Sequence, residues 1–275
     1  MEVMISSRRV IKLFKFDDLT LISGVDIPFE EAHLIIHQPT LKEIAFIGEN
    51  NFFIGCQLLN FSKRIIFSST SEDKVDLSNK SDFDIFMSIM IDSKSPEIKN
   101  QQICVRMVLA LLFPQYQINF TSNGIIFINN EDKSQMGTIS NMNFDEFKNI
   151  LSNMFCLNIV SPEKEYNPAG KLAKKIADKL QERQRKLAEI QGGKKEEKIS
   201  ILCRYVSILT VGTKKDMNDF LNYTVYQLFD EFHRYELKEQ YDVYFKARMA
   251  GAKDMKEPDD WMQDLHNPNN NHQDK

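Results

Sequence analysis

Apolar and polar positions alternate in several distinct ways along the chain. Residues 10–16 (VIKLFKF) alternate apolar with basic side chains, the period-two mark of a half-exposed strand. After Pro28, residues 30–37 run up against Pro39 and read as a strand or a short extended piece. Pro39 and Thr40 then open a predicted helix, because proline and polar residues suit a helix start. Its apolar positions Leu41, Ile44, Ala45, Phe52 and Phe53 recur at helical spacing. Residues 82–91 and 96–113 predict two further helices, the second so apolar from Cys104 to Phe113 that it belongs in a core. Residues 115–120 and 125–128 flank Thr121-Ser-Asn-Gly124, a hairpin signal because Asn-Gly readily takes positive φ. A third strand is expected at 135–140. Residues 143–155 close the region as an amphipathic helix with Phe144, Phe147, Ile150, Leu151 and Met154 on one face. Residues 1–160 thus read as an α+β N-terminal domain.

The pattern changes at Ser161-Pro-Glu-Lys-Glu-Tyr-Asn-Pro168, where two prolines and several charges mark a boundary. Residues 171–191 predict a long solvated helix stopped by Gly192-Gly193. Residues 161–198 are expected to form a basic helical linker, with ten Lys/Arg against five Asp/Glu between Lys171 and Lys198. Ala173, Ile176, Leu180, Leu187 and Ile190 follow a 3-4 spacing there, over too few heptads for a coiled coil. Residues 199–266 read as an all-α C-terminal domain. It holds an apolar helix ending near Gly212, a short capped turn from Asp216, and a long helix over 224–250. The early face of that helix carries Val225, Leu228, Phe229 and Phe232, a stripe wide enough to require a packing partner. Residues 267–275 (NPNNNHQDK) contain no apolar side chain and are expected to be frayed.

With 275 residues, 42% hydrophobic and 27% charged, the composition excludes a fibrous repeat and wholesale disorder. No run approaches the roughly 18 apolar residues of a membrane helix, and residues 1–9 lack the apolar core of a secretory signal, so a cytoplasm is the simplest compartment. A net charge of −4, from 35 basic and 39 acidic residues, argues against a general polyanion binder. Cys56, Cys104, Cys156 and Cys203 are widely spaced in apolar settings, without a C-x-x-C pair; they read as reduced, buried thiols.

Catalytic and cofactor motifs are missing. Gly170-Lys171, Gly193-Lys194 and Val211-Gly-Thr-Lys-Lys215 lack the first glycine of a phosphate loop, and no dinucleotide, nucleophile-elbow or zincin signature occurs. His33 and His37 are four apart, but Leu34, Ile35 and Ile36 between them favour a strand, which would separate the imidazoles by more than about 13 Å. Acidic pairs at Asp82/Asp84, Asp145/Glu146 and Asp230/Glu231, and the Glu257/Asp259/Asp260 group, suit helix starts and exposed faces. No enzyme, metal or cofactor is expected. Lys174, Lys175, Arg183 and Arg185 in the basic helix could contact phosphates. Interleaved Asp178, Glu182 and Glu189 and the lack of aromatic residues favour a solvated linker over nucleic-acid binding. Trp261, with Met262 and Leu265 in a polar tail, needs a pocket, on its own helices or on a partner.

Several stretches together carry a resemblance. Ile36-His-Gln-Pro-Thr-Leu-Lys-Glu-Ile44, Ile47-Gly-Glu-Asn-Asn-Phe52, Tyr166-Asn-Pro-Ala-Gly-Lys-Leu-Ala-Lys-Lys-Ile176 and Tyr205-Val-Ser-Ile-Leu-Thr-Val-Gly212 contribute to it. So, most clearly, do residues 221–235 (LNYTVYQLFDEFHRY), 247–253 (ARMAGAK) and 258–262 (PDDWM). Outside residues 61–142, the chain resembles a family encoded in the tail gene clusters of tailed phages and prophages of Gram-positive bacteria. The resemblance implies a tail assembly chaperone or tail-morphogenesis accessory protein in the host cytoplasm, binding the tape-measure protein or another tail protein. On that reading Tyr226, Phe229, Phe232, Trp261 and Met262 are the partner-contact candidates, and methionines adapt to varied helices. A structural virion protein and a nucleic-acid-binding accessory protein are the alternatives it leaves.

Overall fold

The computed structural model describes residues 17–61, 80–91, 96–157, 200–253 and 257–262. The expected strand at 10–16, the boundary at 161–168, the basic helix and the polar tail lie outside these residues. The described architecture is α+β, as the sequence predicts. Helix α1 (Asp18–Ser23) is followed by strands β1 (Ile27–Phe29) and β2 (Leu34–Ile36), an antiparallel pair with Ile27 opposite Ile36. The segment expected to be extended from residue 30 is therefore divided. Glu30–Ala32 is a 3₁₀ turn, His33 takes a left-handed conformation (φ 55°), and only the next three residues are strand. Ile27, Phe29, Leu34 and Ile36 are buried while Pro28 and Ile35 face out, the alternation a half-buried hairpin requires.

The helix expected after Pro39 is two helices. Thr40 caps α2 (Leu41–Ile47) in a reciprocal box with Glu43, whose carboxylate accepts from the Thr40 amide at 2.7 Å. Gly48, at φ 83°, ends α2 and α3 (Glu49–Leu59) begins at once. A positive φ at the junction breaks the helical path without steric cost only in glycine. Helices α4 (Asp82–Ile91) and α5 (Pro96–Leu112) fall where the apolar periodicity places them. Strands β3 (Tyr116–Thr121), β4 (Gly124–Asn129) and β5 (Gln135–Ile139) form an antiparallel meander in that order, and α6 (Phe144–Met154) closes it. The hairpin turn differs from expectation. Asn123 keeps a negative φ and Gly124 alone takes a positive one (φ 155°); a Cβ on Gly124 would also sit 2.6 Å from the Ile139 carbonyl oxygen of β5.

The core is aromatic. Phe113 lies 4.5 Å from Phe127, Phe52 lies 4.9 Å from Phe155, and Phe144 meets Phe83 at 5.1 Å and Phe86 at 5.3 Å between ring centroids. All five predicted residues of the α6 face are buried. Lys148, on the flank of α6, bridges Asp82 of α4 and Asp145 at 2.8 Å each. The same continuous core takes in Leu202, Val206, Leu209, Phe220, Val225, Tyr226 and Leu228 from the C-terminal helices.

Candidate protein-binding surface

Three helices build the C-terminal part: α7 (Ile201–Thr213), α8 (Met217–Leu221) and α9 (Val225–Met249). Ser200 caps α7, its hydroxyl accepting from the Cys203 amide at 3.0 Å. The remaining amides of that first turn are satisfied from a distant part of the chain. The Glu49 carboxylate accepts from the amides of Ile201 (2.8 Å) and Leu202 (3.2 Å) and from the Ser200 hydroxyl. A carboxylate at a helix N-terminus meets both the free donors and the positive end of the dipole. Lys214 turns left-handed after α7, and Asp216 caps α8 by accepting from the Asn218 amide.

Thr224 and Gln227 form a second capping box at the start of α9. Gln227 also donates to the Ile22 carbonyl at 2.6 Å, and the Leu41 amide donates to the Tyr223 carbonyl at 2.8 Å. These bonds fix the root of α9 against α1 and α2. Tyr226, offered by the sequence as a partner contact, is only 3% exposed and belongs to this root. Its hydroxyl donates to Asp18 at 3.4 Å. Burial pushes the Tyr226 phenol far up, reinforced by the charges of Asp18 and Asp230, so it stays neutral. Burial and Asp230 likewise raise the Cys156 thiol to about 12. Cys56 and Cys104 are buried as expected, but Cys203 is exposed, since it lies on the outer side of α7.

Phe229 and Phe232 are half-buried and pack inward on α7. The Phe232 ring stacks on Tyr205 at 3.7 Å with planes 4° apart, and Phe229 meets the same ring edge-on at 5.2 Å. The stripe the sequence marked on α9 thus finds its partner within the chain. Further along, Gly212 lets α7 and α9 close up, because a Cβ there would sit 2.3 Å from the Tyr235 ring. α7 ends at Thr213, one residue past that glycine and close to where the sequence places its end. Lys215 bridges Glu231 of α9 at 2.7 Å and donates to the Tyr223 hydroxyl, which together raise its ammonium above the ordinary value.

What this leaves outward is an apolar row on α7. Ile201, Ile208 and Val211 recur at seven and three residues, hence along one face, and all are exposed, Val211 to 80%. The remainder of α9 runs on past Tyr235, and its exposed apolar residues are Tyr241, Val243, Phe245 and Met249. Residues 257–262 return to α9, where Arg234 donates to the Trp261 carbonyl at 2.7 Å. Trp261 is half-buried there, and Met262 is exposed. Lys174, Lys175, Arg183 and Arg185 lie outside the described residues.

Elsewhere, His37 sits between two carboxylates, with Nδ1 2.8 Å from Asp26 and Nε2 3.3 Å from Glu43. Sequence spacing pairs it with His33, which is instead turned outward on the 3₁₀ turn. A cleft of about 610 Å³ lies beside His33, lined among others by Glu31, Met136, Thr138 and Asn143. Among the described residues no three His, Cys, Asp or Glu side chains form a metal-holding group, and no helix is long and apolar enough to cross a membrane.

Comparison with known proteins places one similarity on this region. Residues 194–266 match the family described as the YomV second domain, a phage- and prophage-associated family. The match includes α7, α8, α9 and the return segment to Trp261. No curated protein and no solved structure matches the chain.

Proposed function

We propose that the chain is a non-enzymatic accessory protein of phage tail morphogenesis, a tail assembly chaperone that holds the tape-measure protein noncovalently in the host cytoplasm. The observation that carries this reading is the exposed apolar row Ile201, Ile208 and Val211, set on a helix held in place by Glu49 at its N-terminus and by the Tyr205–Phe232 stack. A rigid helix with an apolar outer row receives an amphipathic helix at low ordering cost. The tape-measure protein, long and helical, offers such faces repeatedly. The phage association of the matched family supports the same setting. Phe229 and Phe232 serve by positioning α7, and Met262 adds an adaptable apolar end where the return segment meets α9.

The test is an affinity pull-down of tagged protein from phage-producing cells, with mass spectrometry of the bound proteins and of purified virions. The wild-type chain is expected to retain the tape-measure protein and to be absent from virions. The double variant Ile208→Glu/Val211→Glu, altered only at exposed positions, is expected to lose that retention by at least about tenfold, a difference of about 1.4 kcal/mol. Finding the bait in virions at fixed stoichiometry would overturn the reading and make it a component of the particle.

A further inference from the structure

The distal half of α9 carries a second apolar row, separate from that on α7. Tyr241, Phe245 and Met249 follow one another at four-residue spacing, with Phe245 54% and Met249 75% exposed. They share one face over about 12 Å of helix. Charge along this stretch is divided by sign. Residues 236–242 hold Glu236, Glu239 and Asp242 against one lysine, Lys238, whereas residues 243–253 hold Lys246, Arg248 and Lys253 and no carboxylate. A basic last turn suits the helix dipole, but the dipole gives no reason for the phenyl and thioether groups beside it.

A surface that is acidic at one end and basic at the other, with an apolar row running along it, complements its own reverse. We propose that the distal half of α9 is a self-association surface, pairing antiparallel with the same helix of a second copy about a two-fold axis at Phe245. In that register Phe245 meets its own counterpart and Tyr241 lies opposite Met249 of the second copy. Asp242 then lies on the same flank as Lys246 of the second copy, and the pairing occurs twice by symmetry. A four-residue repeat forms the ridge that packs into its like at a crossing angle near −50°. A foreign helix would have to supply both signs in reverse order, which a second copy does by construction. Residues 267–275 offer no apolar side chain for this row. Three apolar side chains fall well short of the roughly 20–30 residues a side of a standard interface, so the dimer forms with rising concentration and is not obligate.

Sedimentation equilibrium on the purified full chain, without any partner protein, tests this independently of the tail-assembly reading. The wild-type mass should rise from one chain toward two as concentration approaches about 1 mM. Phe245→Glu should stay at one chain throughout. Asp242→Lys and Lys246→Asp should each weaken the dimer, and the double exchange should restore it, because the opposed charges are then swapped in both copies. Under mild oxidation Phe245→Cys should give a disulfide-linked dimer beyond any formed by the exposed Cys203 of the parent. A wild-type chain that remains single at every concentration would overturn the proposal. So would a dimer indifferent to Phe245→Glu, or failure of the double exchange to rescue.

Discussion

Replacing Gly55 by alanine sets a gain in helix propensity against a collision. Alanine is favoured over glycine inside a helix by about 1 kcal/mol. A Cβ on Gly55 of α3, however, would lie 2.6 Å from Val108 Cγ2 and 2.7 Å from the Cys104 carbonyl oxygen of α5. The second neighbour is helical backbone and cannot rotate away. Relief requires α3 and α5 to separate, loosening Phe52, Cys56, Leu59, Val105 and Leu109, all fully buried at or near this crossing. Overpacking costs about 1–3 kcal/mol, and a backbone clash belongs at the upper end. The net expectation is a loss of about 2 kcal/mol, or about 4–8 °C in melting temperature for a chain of this size. Gly212→Ala is the control: the same propensity gain, but a collision with the far end of the Tyr235 side chain. A ring can turn off its rotamer for about 0.5–1.5 kcal/mol, so this variant should stay within about 1 kcal/mol of the parent. Urea denaturation followed by circular dichroism compares the two. A Gly55→Ala protein as stable as the parent would refute the reasoning, as would equal losses at the two sites.

Three further outcomes are expected. Glu49→Ala should cost about 1–3 kcal/mol by stripping acceptors from the first turn of α7; hydrogen exchange at the Ile201 and Leu202 amides should accelerate, and unchanged protection there would contradict the capping role. Lys148→Met should destabilise by about 1–2 kcal/mol, less than the 3–5 of a fully buried pair, and in a double-mutant cycle with Asp82→Asn the two losses should fall short of additive; strict additivity would mean the ion pair contributes nothing. Acid sensitivity should trace in part to Glu43. Burial raises its carboxyl, but hydrogen bonds from Thr40 and His37 outweigh that and hold it below 4.5. Its contribution is therefore complete above about pH 4.5 and lost as pH falls through the lower folded value. Glu43→Gln should flatten that part of the stability–pH curve, and parallel curves for the two proteins would count against the assignment.

Local pattern was enough where an element's own residues decide it. The α6 face and the bounds of α4 follow from apolar periodicity, and the caps at Thr40, Asp216 and Thr224 follow from short polar side chains placed before apolar runs. It was insufficient where one backbone position redirects the chain. Gly48 splits a helix whose apolar spacing is nearly continuous, and His33 turns left-handed in a run that reads as strand. The candidate contact residues show the same division. Phe229 and Phe232 were legible as part of a stripe that must pack, but not as packing inward on Tyr205, and no local pattern placed Tyr226 against α1. The outward row on α7 carried a weaker signal, since Ile201, Ile208 and Val211 stand among equally apolar residues that are buried.

The sequence by itself determined the class of fold, the position of most helices and the need of the C-terminal helices for a packing surface. These follow from periodicity and capping, which are properties of neighbours in the chain. Tertiary structure decided which apolar residues reach solvent. It also decided that Glu49 serves a helix some 150 residues away and that the root of α9 is held by α1 and α2. Those choices depend on groups distant in sequence competing for the same space and the same hydrogen-bond donors, and no local pattern records the outcome.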